Sequence, residues 1–401
     1  MMPDQDVGSS LSLPFIMRQL IGHLDKANQG KLLIEAGEQH SYQVTGEKTG
    51  EVADLRLNDG AAIVKALLVA GEIGFARSYL QGHWDTSDLT RLFCWFADNE
   101  TALKPSAGLG LPGRLMQRFQ HWGARNSLRG SRRNIAAHYD LGNDFYRLWL
   151  DPSMTYSSGI FTSDDHDLER AQTRKYARLL ESMDATPGDH ILEIGCGWGG
   201  FAEYAARQGY RVTGITLSRE QLAFAQARIE RAGLADLVSF ELRDYRKLDG
   251  TWDHIVSIEM FEAVGEAWWP TYFNVVKRCL RSGGRAALQI ITIDEARFEQ
   301  YRRNPDFIQL FVFPGGMLPT VSHLHALAAG QGLEVASSDQ YGHDYARTLS
   351  LWHQRFNAVQ DDVVAQGFDP YFMRLWRYYL AYCEAGFLKG TVDLVQLRLD
   401  G

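Results

Sequence analysis

The sequence predicts an α/β protein in which a small N-terminal α+β domain precedes a doubly wound, Rossmann-like parallel sheet. Three observations carry that expectation. Between residues 190 and 291, short apolar strand-like runs alternate with helical patterns, the rhythm of a parallel sheet covered on both faces. The first of those runs leads directly into a glycine-rich loop and then a helix, as a ligand-binding βα turn does. The 401 residues are 45% hydrophobic and 22% charged, a globular balance with enough apolar material for two or three domains.

Taken in order, the N-terminal MMPDQDVGSSLSLPF has acids where a secretory leader needs positive charge. Residues 31–44 alternate around Gly37, a hairpin pattern, and residues 59–70 and 73–80 have helical apolar spacing, with Gly82 and Asp85 as punctuation. Residues 101–139 change character: Lys104, Arg114, Arg118, Arg125, Arg129, Arg132 and Arg133 occur without one acid, and Gly108, Gly110, Pro112 and Gly113 suit a linker. The expected division is therefore 1–100 for the small accessory domain, 101–130 for a basic linker and 131–401 for the α/β domain. Within the last, strands are expected at 190–196, 211–217, 238–242, 254–258 and 286–291, and a helix at 219–232. Residues 298–319, aromatic and bearing Pro and Gly, read as an insertion over a site at the strand ends.

The net charge of −8 argues against a nucleic-acid binder. Cys94, Cys196, Cys279 and Cys383 are far apart, as free thiols in a reducing cytosol would be. No run of about 18 apolar residues occurs, so no membrane-spanning helix is expected and any membrane contact is made from the surface.

The glycine loop is Glu193-Ile194-Gly195-Cys196-Gly197-Trp198-Gly199-Gly200. Glycines permit the tight turn and close backbone approach, and the helix N-terminus that follows favours anionic groups. Gly195, Gly197 and Gly200 also satisfy the dinucleotide spacing, with Glu220 about 20 residues on, so the loop alone leaves a nicotinamide nucleotide, or no ligand at all, open. The next strands favour a different nucleotide. The second ends in Thr216-Leu217-Ser218 with Gln221 beyond, and the third leads into Asp244-Tyr245, an acid and an aromatic suited to an adenine. Asp244 could equally be a solvated turn acid. Trp198 adds bulk where a pyrophosphate loop needs smallness. The combination resembles the S-adenosylmethionine-dependent methyltransferases of class I. In that likeness the loop amides contact the methionine part, Glu193 supports the loop, and Thr216 to Gln221 border the ribose.

A more specific resemblance rests on separated motifs in order. His138-Tyr139-Asp140-Leu141-Gly142-Asn143-Asp144-Phe145-Tyr146 precedes Asp151-Pro152-Ser153-Met154-Thr155-Tyr156-Ser157-Ser158. The glycine loop, Met260-Phe261-Glu262-Ala263-Val264-Gly265, Phe313-Pro314-Gly315-Gly316, Asp344-Tyr345 and Tyr379-Leu380-Ala381-Tyr382-Cys383 follow. Over residues of about 130–400 the chain resembles the cyclopropane-fatty-acyl-phospholipid synthase family. That resemblance implies methyl transfer from S-adenosylmethionine to a cis double bond of a phospholipid acyl chain. Tyr156, Ser157, Glu193, Gly195, Cys196, Gly197, Gly199, Thr216, Leu217, Gln221, Asp244 and Tyr245 are its implied donor-binding positions.

An alkene is a feeble nucleophile, so alignment with the methyl group must supply much of the acceleration. Attack leaves a carbocation in an apolar tunnel, where charge is costly unless dipoles or carboxylates offset it. A base must then remove a proton to close the ring. The family likeness implies a bound bicarbonate for this task, caged by Ser158, Glu262, Gln289 and Tyr345 with the backbone near Ile291. Glu262 could instead be a helix N-terminal acid, and Tyr345 a core phenol. Two cage positions depart from the family pattern: Ser158 stands for a Cys and Gln289 for a His, and neither carries a proton near neutral pH as imidazole does. Ala263 also replaces a His. A methyl-branched product is the alternative to a ring, and methylation of a soluble apolar metabolite is a second alternative. Cys383 matches a cysteine once assigned to catalysis in the family, but it lies on an apolar helix stripe with Phe372, Trp376, Tyr379, Leu380 and Phe387, where a thiol is packing.

The substrate acyl chain sits in a bilayer, so a peripheral, cytoplasmic enzyme must dock and extract it. Leu115, Met116, Phe119 and Trp122 interleave with Arg114, Arg118 and Arg125, which suits an anionic membrane surface as well as a solvated connection. Phe311, Phe313, Met317 and Leu318 suit either a tunnel mouth or core packing. A homodimer is left open.

Overall fold

In the computed structural model the described residues are 15–37, 40–103, 141–163 and 165–401. They fall into two compact units, one on either side of residues 104–140. The basic stretch and His138, Tyr139 and Asp140 lie outside the described residues.

In the first unit, β1 (Gln29–Ala36) and β2 (His40–Thr45) form the expected antiparallel hairpin, with Lys31 opposite Thr45 and Ala36 opposite His40. The sequence pattern gave no sign of β3 (Lys48–Leu57), which crosses to the other edge of β1 and pairs parallel to it. Gly46 makes the short crossing workable: a Cβ there would lie 2.3 Å from the backbone carbon of Asn28. The two-residue β4 (Trp84–Asp85) completes the order β2-β1-β3-β4. Both expected helical stretches belong to one helix, Gly60–Leu80, which breaks at Gly71 with φ 55°. Asp59 caps its start by accepting from the Ala62 amide.

In the second unit, β5 (His190–Ile194), β6 (Arg211–Thr216), β7 (Val238–Leu242), β8 (Trp252–Ile258) and β9 (Leu280–Ile293) are the five strands expected from the sequence, β9 being the most extended. All five run parallel to one another. Beyond them lie two antiparallel strands, β10 (Glu334–Gln340) and β11 (Val392–Asp400), giving the order β10-β11-β9-β8-β5-β6-β7. The strands alternate between two cores. Leu192, Ile255, Ala286 and Leu288 face one apolar cluster, with Tyr272 and Val276 of the helix Trp269–Cys279. Ile191, Val256 and Ala287, one residue out of step, face the other, with Leu179 of the helix Leu168–Ser182 and Ala202 and Ala205 of the helix Gly200–Arg207. Burial on both faces is why these strands read as near-continuous apolar runs.

The helices Gly342–Ala358 and Pro370–Leu388 pack against each other, with the Tyr345 ring stacked on Phe387 at 4.4 Å. The carboxyl ends of the parallel strands deliver Glu193, Thr216, Glu259 and Ile291 to one region, where open α/β sheets bind their ligands.

Candidate active site

Three glycines with positive φ, Gly195 (88°), Gly197 (50°) and Gly199 (81°), turn the chain from β5 into the helix Gly200–Arg207. A Cβ on Gly195 would meet the Met260 side chain at 2.8 Å, whereas one on Gly197 would meet nothing, so the loop borders open space there. Glu193 is buried at the end of β5 and its Oε2 has no hydrogen-bond partner. Burial pushes its carboxyl well above the usual range, with the Lys175 ammonium opposing. The Cys196 thiol is buried and likewise pushed up, so it stays protonated. Thr216 donates to Gln221 Oε1 at 3.0 Å and accepts from the Ser218 amide at 3.1 Å, while Ser218 caps the Gln221 amide. Leu217 lies inside this locked turn, between Thr216 and the cap.

Asp244 is not the solvated turn acid of the bland alternative. It is buried, and Arg246 grips it with Nε–Oδ1 at 2.9 Å and Nη2–Oδ2 at 2.7 Å. The same guanidinium lies 4.8 Å from the centre of the Trp268 ring. Tyr245 turns its ring into the sheet core, edge-on to Tyr272 at 5.4 Å. Open space over Gly197, an unpartnered buried Glu193 oxygen and a helix N-terminus fit a donor with an ammonium-bearing, carboxylate-bearing tail, as S-adenosylmethionine has.

The second cluster is centred on a residue that sequence reasoning missed. Glu259 follows β8, and its Oε1 accepts from the Ser158 amide at 2.9 Å and from Gln289 Nε2 at 2.8 Å. Its Oε2 accepts from the Tyr345 hydroxyl at 2.6 Å. Three of the four expected cage residues therefore converge, Gln289 and Tyr345 through their side chains and Ser158 through its backbone, but on a carboxylate of the chain itself. Gln396, also unanticipated, donates to Gln289 Oε1 at 2.8 Å, which turns the donor end of Gln289 toward Glu259. The Ser158 hydroxyl donates to the Gly159 carbonyl instead.

Glu262 stands beside this group. Its Oε1 accepts from the Ile291 amide, and its buried Oε2 has no partner. Burial, and then the neighbouring Glu259, push its carboxyl up to about 8. Burial also raises Glu259, but Lys175 and its three donors oppose the shift. The three donors that end on both Glu259 oxygens favour its charged form, whereas Glu262, with a single donor, is held protonated at neutral pH. Both side chains are half-buried. The Lys175 ammonium, which interacts electrostatically with Glu259, is wholly buried, bonded to Ser157 Oγ at 2.6 Å and to Gln172 Oε1, and burial lowers it to about 7. An acid three residues before Glu262 at a strand end was the available signal for Glu259. A lone Lys inside an amphipathic helix gave none.

An aromatic wall completes the site. The Tyr156 and Tyr379 hydroxyls are 2.7 Å apart, Tyr156 leans on Trp352 at 5.2 Å, and Phe313 meets Tyr379 edge-on at 5.9 Å. Cys383 follows on the same helix as Tyr379, and burial pushes its thiol well up, which suits the packing role and not a nucleophile. Met317 belongs to the sheet core and Leu318 packs against it, so core packing accounts for these two; Phe311 stacks on Phe307 at 5.1 Å. Among the described residues no cluster of His, Cys, Asp and Glu could hold a metal ion.

Residues 126–397 match the family model for mycolic acid cyclopropane synthetase. The chain belongs to that family. A tuberculostearic acid methyltransferase of Mycobacterium tuberculosis is 37% identical over 363 residues, covering 88% of this chain and 85% of that protein. The cyclopropane-fatty-acyl-phospholipid synthase of Escherichia coli K12 is 34% identical over 351 residues, covering 86% and 87%. Among solved structures, a mycolic acid cyclopropane synthase complexed with SAH and CTAB superposes with a TM-score of 0.64 at 30% identity, over 67% of this chain and 98% of that one. This member of the cyclopropane synthetase family is thus an S-adenosylmethionine-dependent methyltransferase of fatty acyl chains, on the class I fold that the sequence predicts. No helix among the described residues is long and apolar enough to cross a membrane.

Proposed function

We propose that the enzyme methylates the cis double bond of an unsaturated phospholipid acyl chain, and that a cyclopropane ring forms when a base takes a proton from the new methyl group. The observation that carries this reading is the half-buried pair of carboxyl groups, Glu259 and Glu262, at the strand ends together with the aromatic wall. Bound S-adenosylmethionine supplies an electrophilic methyl group. The glycine loop and Glu193 hold the donor, the locked Thr216–Gln221 turn and Asp244 border its nucleoside side, and Tyr156 and Ser157 are taken as further donor-binding residues. Glu259 offsets the positive charge that develops on the acyl carbon, in surroundings where water does not screen it. The aromatic faces of Tyr156 and Trp352 add to that stabilisation.

A second reading ends in a methyl-branched chain, through loss of a different proton by the same cation. It is favoured by the absence of an imidazole at Gln289 and by the 37% identity to a tuberculostearic acid methyltransferase. Expression in a host without cyclopropane fatty acids, followed by gas chromatography–mass spectrometry and proton NMR of its phospholipid acyl chains, tests both. High-field ring protons support the first reading and a branched methyl signal the second; unmodified chains refute both. Docking is proposed to be peripheral, through the basic, aromatic stretch of 101–130, with the small N-terminal unit as an accessory.

A further inference from the structure

We propose that the Glu259 carboxylate is this site's own anion, standing where the family resemblance implies bicarbonate, and that it accepts the proton released after methyl transfer. The inference rests on the acyl-methylation reading and deepens it by naming the base. The donors that would hold a bicarbonate are already spent: the Ser158 amide, Gln289 Nε2 and the Tyr345 hydroxyl all end on Glu259, at 2.9, 2.8 and 2.6 Å. Gln289 cannot turn away to serve a second anion without losing its bond from Gln396. A small anion placed here would also face the Glu259 charge, with one ammonium, Lys175, to share between them. The residues therefore do not fit bicarbonate.

The backbone points the same way. Glu259 adopts φ 50°, a left-handed conformation that side chains other than Gly, Asn and Asp rarely take. Its amide donates to the Gln289 carbonyl at 2.8 Å, which fixes the turn. Such strain persists where surrounding structure over-determines it and the side chain has a use. Glu262, protonated and with one donor, is the poorer base of the pair.

The step balances without an oxidant or reductant. Methyl transfer leaves the acyl carbon cationic. The electron pair of a methyl C–H bond then forms the third ring bond, and the proton passes to a Glu259 oxygen, making a carboxylic acid that discharges to solvent between turnovers. If a neighbouring carbon loses the proton instead, the C–H pair becomes a double bond beside the methyl branch and Glu259 receives the same proton.

The test uses the full chain, Glu259→Gln and Glu259→Gly, with phosphatidylglycerol vesicles bearing cis-unsaturated chains. In bicarbonate-depleted buffer the wild type should release S-adenosylhomocysteine at its full rate, and 13C-bicarbonate NMR should detect no binding. Glu259→Gln should keep its donor affinity and lose turnover by about 100-fold or more. Glu259→Gly relieves the backbone strain and opens the cage, so it should bind 13C-bicarbonate and regain at least about tenfold in turnover with bicarbonate or formate. Bicarbonate binding by the wild type, stimulation of its turnover by bicarbonate, or full activity in Glu259→Gln would overturn the proposal. If the wild type methylates no acyl chain, the functional reading fails, while the binding comparison between wild type and Glu259→Gly still decides whether Glu259 occupies the anion site.

Discussion

Replacing Glu262 by Gln should flatten the pH dependence of stability. The folded enzyme holds this carboxyl at about 8, against 4.5 for the free side chain. Between those values the folded state keeps a proton that the unfolded chain releases, so the wild type loses stability as pH rises through that window. The amide has the shape of the protonated acid and no such slope. From pH 5.5 to 8 the difference corresponds to about 3 kcal/mol, at 1.36 kcal/mol per unit and allowing for half-titration near the upper end. For a unit of this size that is roughly 6–12 °C in Tm. Urea denaturation of wild type and Glu262→Gln at the two pH values measures it. The variant's stability relative to wild type should rise by about 3 kcal/mol between pH 5.5 and 8. Parallel pH profiles would refute the protonated Glu262, and with it the division of labour between the two carboxyls.

Three further outcomes are expected. Gly197→Ala should cost roughly 1–2 kcal/mol in stability, the price of a left-handed alanine, because its Cβ meets no protein atom; it should weaken donor binding by calorimetry at least about tenfold, since that Cβ enters the space over the loop. Cys383→Ala should retain S-adenosylhomocysteine release within about threefold, as its thiol stays protonated at neutral pH; a loss of about 100-fold would return it to the catalytic set. Sedimentation with anionic vesicles should weaken steeply as salt is raised from about 0.05 to 0.5 M, and salt-insensitive binding would remove the electrostatic docking role of residues 101–130.

Much of the α/β unit was legible because its physics is local. The five parallel strands are buried on both faces and so appear as apolar runs, and the helix Arg219–Ala232 is bounded by Ser218 as N-cap and Gly233 in the left-handed conformation. The edge strand β10 carries Glu334, Ser337, Ser338 and Asp339 and alternates between exposed and half-buried positions, which leaves no apolar run to find. The parallel pairing of β3 with β1 depends on a close approach at Gly46 that no periodicity encodes. The glycine loop announced a nucleotide-binding turn through residue type alone. The centre of the second cluster did not announce itself. Glu259 acquires its meaning from Ser158, Gln289 and Tyr345, which lie 101, 30 and 86 residues away. The family likeness led to Glu262, and the fold brings Glu259 to the centre of the cage. Lys175 was invisible for a related reason: the acids that favour its charge, Glu259, Asp151 and Glu193, come from other parts of the chain and not from its own helix.

The most direct trial of the whole account follows the transferred carbon itself. Purified enzyme, S-adenosylmethionine labelled with 13C at the methyl group and vesicles of cis-unsaturated phosphatidylglycerol should yield label within the acyl chain, at the former double bond, in step with S-adenosylhomocysteine release. Label confined to the head group or to a soluble product, or donor that stays intact beside saturating lipid, would contradict it.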